Sequence, residues 1–225
     1  MEFNNAELVE EYATYEEKTT MILNGIKEII IDCKSYLEGN SFYHHNTLHL
    51  FPELFPKQIN LFWCGKQAIS KICEIGFNAG HSTMLLLLGL DNKESSFEYT
   101  IFDIGHHSYT KPCVKYIESE FKNVKFEYIE GDSAVTMPQY ISENRANANS
   151  YDVVHVDGGH TLECITSDMK NADILVKIGG IVIVDDTNVE YINDCVNGHI
   201  SSGKYIELKV LKTVGYPHRI IRKCL

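Results

Sequence analysis

The sequence lacks three things at once: a long apolar run, a paired-cysteine motif and a cluster of basic residues. A bilayer-spanning helix needs about 20 predominantly apolar residues. The longest candidates, Met84 to Leu90 and Ile178 to Val184, are far shorter and read as core elements. Seven cysteines, at positions 33, 64, 73, 113, 164, 195 and 224, are scattered without a CxxC pair or a regular framework. That usage favours reduced thiols in a cytosolic protein over a disulfide scaffold. The opening Met1-Glu-Phe-Asn-Asn-Ala-Glu has neither the basic nor the apolar region of a signal peptide. A formal net charge of -11 and a pI near 5.3 argue against a phosphate-backbone partner, which needs clustered Lys and Arg. The expectation is a soluble, cytoplasmic protein with no membrane partner and no nucleic-acid partner.

What is present suits one α/β domain with room for an appendage. The chain has 225 residues, 44% hydrophobic and 23% charged, enough to bury a sizeable core. No internal repeat or low-complexity tract interrupts it. Residues 1–60 differ in texture from the rest and read as an N-terminal helical cap or lid. Ile22, Leu23, Ile26, Ile29, Ile30 and Cys33 recur there at helical spacing. This helix either covers the core or packs on a second subunit, which leaves a homo-oligomer open. Ser41 to Lys57 carries His44, His45 and His49 among aromatics and two prolines; its histidine spacing matches no zinc pattern, and it reads as a loop, either a lid or plain surface.

Over residues 61–225, short β-rich runs alternate with helical patterns. Strands are expected at Lys71–Ile75, Phe97–Asp103, Val124–Ile129, Tyr151–Asp157 and Gly180–Asp185, with helices between them, including Thr161 to Val176. Such alternation implies right-handed βαβ units in a parallel sheet. Two last strands, Tyr205–Leu211 and His218–Lys223, are joined too closely for a crossover and should form an antiparallel hairpin. The fold class is therefore α/β: a Rossmann-like, doubly wound sheet of seven strands with an N-terminal helical cap.

Polar residues gather at the strand ends, where open α/β sheets bind ligands. Glu74-Ile-Gly76-Phe-Asn-Ala-Gly80-His-Ser82 is a glycine-bearing strand-to-helix junction. Its spacing is GxxxG rather than the GxGxxG of dinucleotide-binding folds, so an NAD-dependent oxidoreductase is disfavoured. Asp103 ends the second strand, where a carboxylate can take both hydroxyls of a ribose. Asp132 and Ser133 follow the third. Asp157, Asp185 and Asp186 end the fourth and fifth, and His160 stands three residues after Asp157. Three carboxylates at one point repel one another, and a hard divalent cation resolves that repulsion. Taken singly, Asp157 could be a turn residue, Asp186 a helix cap and His160 a solvent-facing helix start; together at one edge they favour a site. Asp168 and Asp173, in the following helix, read as solvated-face residues, and His106 and His107 are left unassigned.

The segment from Lys71 to Asp186 resembles class I S-adenosylmethionine-dependent methyltransferases, and is similar within them to the metal-dependent small-molecule O-methyltransferases. The resemblance implies that Glu74, Gly76, Phe77, Asn78, Gly80 and Ser82 form the first cofactor motif. By the same likeness Asp103 would bind the ribose, and Asp132 and Ser133 would lie beside the adenine. The common class I form has a further glycine where Asn78 stands, a departure usual in the metal-dependent branch. Asp157-Gly-Gly-His160 and Asp185-Asp186 match the Asp-x-x-His motif and the acidic pair of the enzymes that methylate sugar hydroxyls. The likeness implies Mg²⁺ held by Asp157, Asp185 and Asp186, with Asp157 and His160 as catalytic residues and His160 as the general base. The expected substrate is a hydroxylated small molecule, with a sugar or sugar nucleotide first. A catechol or phenolic acceptor is the alternative in the same branch, but its usual lysine and Asp-Asn pair are replaced here by His160 and Asp185-Asp186. A non-catalytic nucleotide-binding module with this fold is the third reading.

Overall fold

The computed structural model describes residues 4–38, 41–44, 47–90, 96–213 and 216–225. Seven strands form one sheet: β1 Lys71–Ile75, β2 Phe97–Asp103, β3 Val124–Glu130, β4 Tyr151–Val156, β5 Val176–Val184, β6 Tyr205–Glu207 and β7 Arg219–Lys223. Their order is β3-β2-β1-β4-β5-β7-β6. The first five pair in parallel, while β7 runs antiparallel to both β5 and β6. The order reverses between β1 and β4, both starting points of outward winding. At such a switch the flanking loops diverge and leave a crevice.

Side-chain alternation assigns each strand's residues to two apolar layers. Ile72, Val153, Ile181 and Ile183 join one core; Cys73, Val154, Val182 and Val184 join the other. The second layer is covered by α6 Ser133–Glu143, α7 Leu162–Leu175 and α8 Glu190–Ser201. The first is covered by α4 His81–Leu88, α5 Thr110–Glu120 and the N-terminal helices α1 Asn5–Ala13, α2 Glu16–Asp32 and α3 Phe55–Gln67. Every residue of α4 is buried, which accounts for the apolar run at Met84. Both faces being covered, the central strands can be apolar throughout, and β4 is buried along its whole length.

Three sequence expectations need correction. Ser41 to Lys57 is not all loop: α3 begins at Phe55, because Pro56 falls in its first turn, where a missing N–H breaks no helical bond. The strand expected at Tyr205–Leu211 ends at Glu207. The strand expected from Gly180 begins at Val176, and the pairing of β4 with β5 shifts register between Tyr151 and Val153 to absorb Gly179, whose φ is +81°. Of the histidine-bearing segment, the His44 N–H donates to the His49 carbonyl at 3.0 Å, next to a Tyr43–Leu50 bridge. His45 lies outside the described residues.

The register fixes what meets at the carboxyl edge. Ile75 pairs with Phe102 on one side and Val156 on the other; Asp103 pairs with Glu130, and Val156 with Val184. Gly76, Asp103, Glu130, Asp157 and Asp185 therefore stand in one row.

Candidate active site

The glycine loop is shaped by backbone angles that few residues accept. Gly76 has φ +87° and Asn78 φ +54°, and Gly80 caps α4 at φ +85°. Asparagine is among the few side chains that enter the left-handed region readily, which explains how Asn78 can stand where a glycine is common. Its amide is also clamped: Oδ1 accepts from the Tyr109 hydroxyl at 2.7 Å, and Nδ2 donates to the Glu38 carbonyl. Asp103 braces the same loop from the next strand. Its Oδ2 accepts the N–H groups of Phe77 and Asn78, each at 2.9 Å, and its Oδ1 accepts that of Gly105 at 2.7 Å. Asp132 caps α6 through the Ala134 N–H at 2.9 Å, which puts Ser133 at the helix start.

Glu74 lies beneath the loop, fully buried and not among the described residues that line the cavity. Its carboxylate accepts from Ser82 Oγ (2.5 Å), Thr83 Oγ1 and Tyr99 Oη (2.9 Å), and His155 Nδ1 lies 2.9 Å away. The other ring nitrogen of His155 has no partner among the described residues, and a nitrogen of this ring lies within 4.8 Å of carboxylate oxygens of Asp157 and Asp185. One buried imidazole thus spans the glycine-loop network and the acid cluster.

The acids divide into two groups that share Asp157. The buried group is His155, Asp157 and Asp185; the more open one is Asp157, His160 and Asp186. Asp186 adopts φ +52°, a conformation uncommon outside glycine, and its Oδ2 meets His160 Nε2 at 2.7 Å. That hydrogen bond to Asp186 raises the His160 pKa, against a smaller lowering from burial. Asp185 Oδ1 accepts the Asp186 N–H at 3.0 Å, and its Oδ2 is paired with Lys57. Burial is the largest influence on Asp185 and pushes it up, yet Lys57, His218 and His155 outweigh it and hold the carboxyl below its ordinary value. Asp157 goes the other way: burial first, then Asp185, raise it well above the usual carboxylate range. The pair therefore holds one proton more readily than two isolated acids would.

Lys57 was missed by the sequence reading, which placed it at the end of a loop. It is 4% exposed and reaches Asp185 from the first turn of α3. Burial, its largest influence, lowers the ammonium pKa, but Asp185, Asp157 and Asp186 together lift it above its ordinary value. Asp168 was also misread. It is 1% exposed, because it falls three residues after Ile165 on the face that α7 buries, and burial pushes its carboxyl up to about 6 against the pull of Ser133. Asp173 bonds the Tyr205 hydroxyl at 2.8 Å and pairs with Lys223.

A single cavity of about 480 Å³ joins these parts. Gly76, Phe77, Asn78, Ser82, Asp103, Asp132 and Ser133 line one end, and Asp157, His160, Asp185, Asp186 and Lys57 the other. Glu38 and Ser41 of the N-terminal segment also border it, as do His106 and His107. His107 stacks on Tyr109 (4.8 Å, 6°) and meets Glu38 at 2.9 Å, so the N-terminal segment is docked beside the glycine loop.

Residues 73–187 match the family described as a methyltransferase domain, and the chain belongs to that family. It is a class I S-adenosylmethionine-dependent methyltransferase. No curated protein matches the chain. Among solved structures it is similar to the O-methyltransferase TomG from Streptomyces achromogenes in complex with SAM, at 15% identity over 91% of this chain and 90% of that one, with a TM-score of 0.61. It is similar also to CalS11, a TDP-rhamnose 3'-O-methyltransferase of calicheamicin biosynthesis, at 14% identity over 74% and 77%, with a TM-score of 0.59. The SAH-bound methyltransferase PaMTH1 of Podospora anserina matches at 13% identity over 99% and 98%, with a TM-score of 0.54. At these identities the likeness shows a common fold.

Proposed function

We propose that this methyltransferase transfers the methyl group of S-adenosylmethionine to a hydroxyl of a small molecule, with Mg²⁺, and that a sugar or sugar nucleotide is the first acceptor to test. The observation that carries the reading is the continuity of the cavity from the glycine loop to the acid cluster. A cofactor laid along Gly76 to Gly80 would have its ribose at Asp103 and its adenine beside Asp132 and Ser133. Its sulfonium methyl would then face the acids. The printed activity of CalS11, on a TDP-rhamnose 3'-hydroxyl, supports the choice of acceptor.

The donor set fits a hard cation. Asp157 shares one cluster with Asp185 and His155 and a second with Asp186 and His160, each with its ligand atoms within 4.8 Å of one another, and carboxylate oxygens of this kind suit Mg²⁺. When bound there, Mg²⁺ supplies a positive charge that stabilises an alkoxide. The chain's own groups do the rest. His160, oriented by Asp186, receives the acceptor's proton at its imidazole once it is neutral. The buried network of Glu74 with Ser82, Thr83 and His155 holds the glycine loop in place, and in-line positioning carries much of the rate.

Replacing Asp157 or Asp185 by Ala should abolish turnover while S-adenosylmethionine binding, followed by calorimetry, survives largely intact. Full activity of the wild type in excess EDTA would remove the metal from the mechanism.

A further inference from the structure

We propose that Lys57 is a resident cation of the acid cluster, which a divalent ion must displace from Asp185, so that this lysine sets the site's metal affinity. The inference rests on the metal reading given above. Both oxygens of Asp185 are already engaged, one by the Lys57 ammonium and one by the Asp186 N–H. Beside them, the fully buried His155 has one ring nitrogen without a partner among the described residues, and its ring comes within 4.8 Å of carboxylate oxygens of Asp157 and Asp185. The buried pocket thus holds two acids, an unsatisfied imidazole edge and one cation. It resembles a ligand set whose positive charge is supplied by protein.

An ion drawn in between Asp157 and Asp185 would meet an ammonium on the same carboxylate. In a poorly screened interior such like-charge contact is costly. For the ion to bind, Lys57 leaves Asp185 and turns into the cavity it already lines, and that displacement weakens the ion's net affinity. Lysine can do this, since it is a point charge on a flexible stem. A plain structural ion pair predicts only that removing Lys57 weakens the fold. Competition predicts the reverse for the ion, which should bind more tightly once the lysine is gone.

The test is a calorimetric titration of Mn²⁺ into the cofactor-free wild type, Lys57→Gln and Lys57→Arg. Lys57→Gln should bind Mn²⁺ about tenfold more tightly or better, and Lys57→Arg no more tightly than the wild type. Equal affinity in wild type and Lys57→Gln overturns the role of Lys57 and leaves the metal reading standing. Binding by Lys57→Gln alone supports the role of Lys57 while removing the ion from the wild-type mechanism. Failure of both to bind overturns both readings. Should Lys57→Gln not fold, the wild type carries the test: reductive methylation of Lys57, read by mass spectrometry, should rise on adding Mn²⁺. An unchanged level overturns the proposal.

Discussion

A single methyl group at Gly76 should disturb both ends of the cavity. The chain turns there with φ +87°, and a Cβ would stand 1.9 Å from the Asp157 carbonyl oxygen and 2.6 Å from its carbonyl carbon. Those atoms belong to backbone, so no rotamer change can relieve the overlap. The left-handed conformation costs an alanine about 1–2 kcal/mol. Forced overpacking typically adds about 1–3 kcal/mol. Gly76→Ala should therefore cost about 2–5 kcal/mol, a fall of about 4–20 °C in melting temperature for a chain of this size. Part of the strain will be relieved by pushing the end of β4 outward by about 1 Å, and displacements of that order can cost about 100-fold in rate. Thermal melting, calorimetry with S-adenosylmethionine and a methyl-transfer assay together read the three consequences. A variant with wild-type melting temperature and wild-type cofactor affinity would refute the reasoning, because the turn would then be roomier than its geometry states.

Two further outcomes concern buried carboxylates. Asp152 Oδ2 accepts the N–H groups of Ile69, Ser70 and Lys71 at 2.6–2.9 Å, and Lys177 pairs with its other oxygen. Burial is the largest influence and raises its pKa, but Lys177 and the three N–H groups prevail and lower it. Its stabilisation is thus complete above the unfolded value of about 3.9 and is lost as pH falls through the lower folded value. Asp152→Asn should lower the melting temperature at neutral pH and flatten the acid-side loss, and parallel pH profiles for the two proteins would contradict this. Glu74→Ala strands Ser82, Thr83, Tyr99 and His155 without their acceptor. It should cost about 3–5 kcal/mol in urea unfolding, and a loss below about 1 kcal/mol would show that the network carries little.

The strand-end residues were legible in the sequence because each belongs to a local pattern. Asp103, Asp157, Asp185 and Asp186 follow β-branched or aromatic runs, and the ends of those parallel strands share one edge of the sheet. Lys57 was not legible in that way. It reaches Asp185 across 128 positions of chain, and the two prolines around it suggested a loop. A signal was nevertheless present: Lys57 and Asn60 sit three residues apart on a helix whose apolar positions, Leu61 and Cys64, share their face, and all four are buried. Asp168 illustrates the same error. Its spacing from Ile165 put it on the buried face of α7, but its charge was read as a sign of exposure. The glycine loop was recognisable by motif, whereas its support from Glu74 and His155 depends on tertiary contacts that no local pattern encodes.

Asp103 holds the N–H groups of Phe77, Asn78 and Gly105 with its own carboxylate. Under the role proposed for it, the group that would read the cofactor's ribose has already frozen the turn that receives the methionine half. The conformational entropy of that turn is then lost during folding and need not be lost again on association. Cofactor capture would be governed by diffusion and desolvation instead of loop rearrangement.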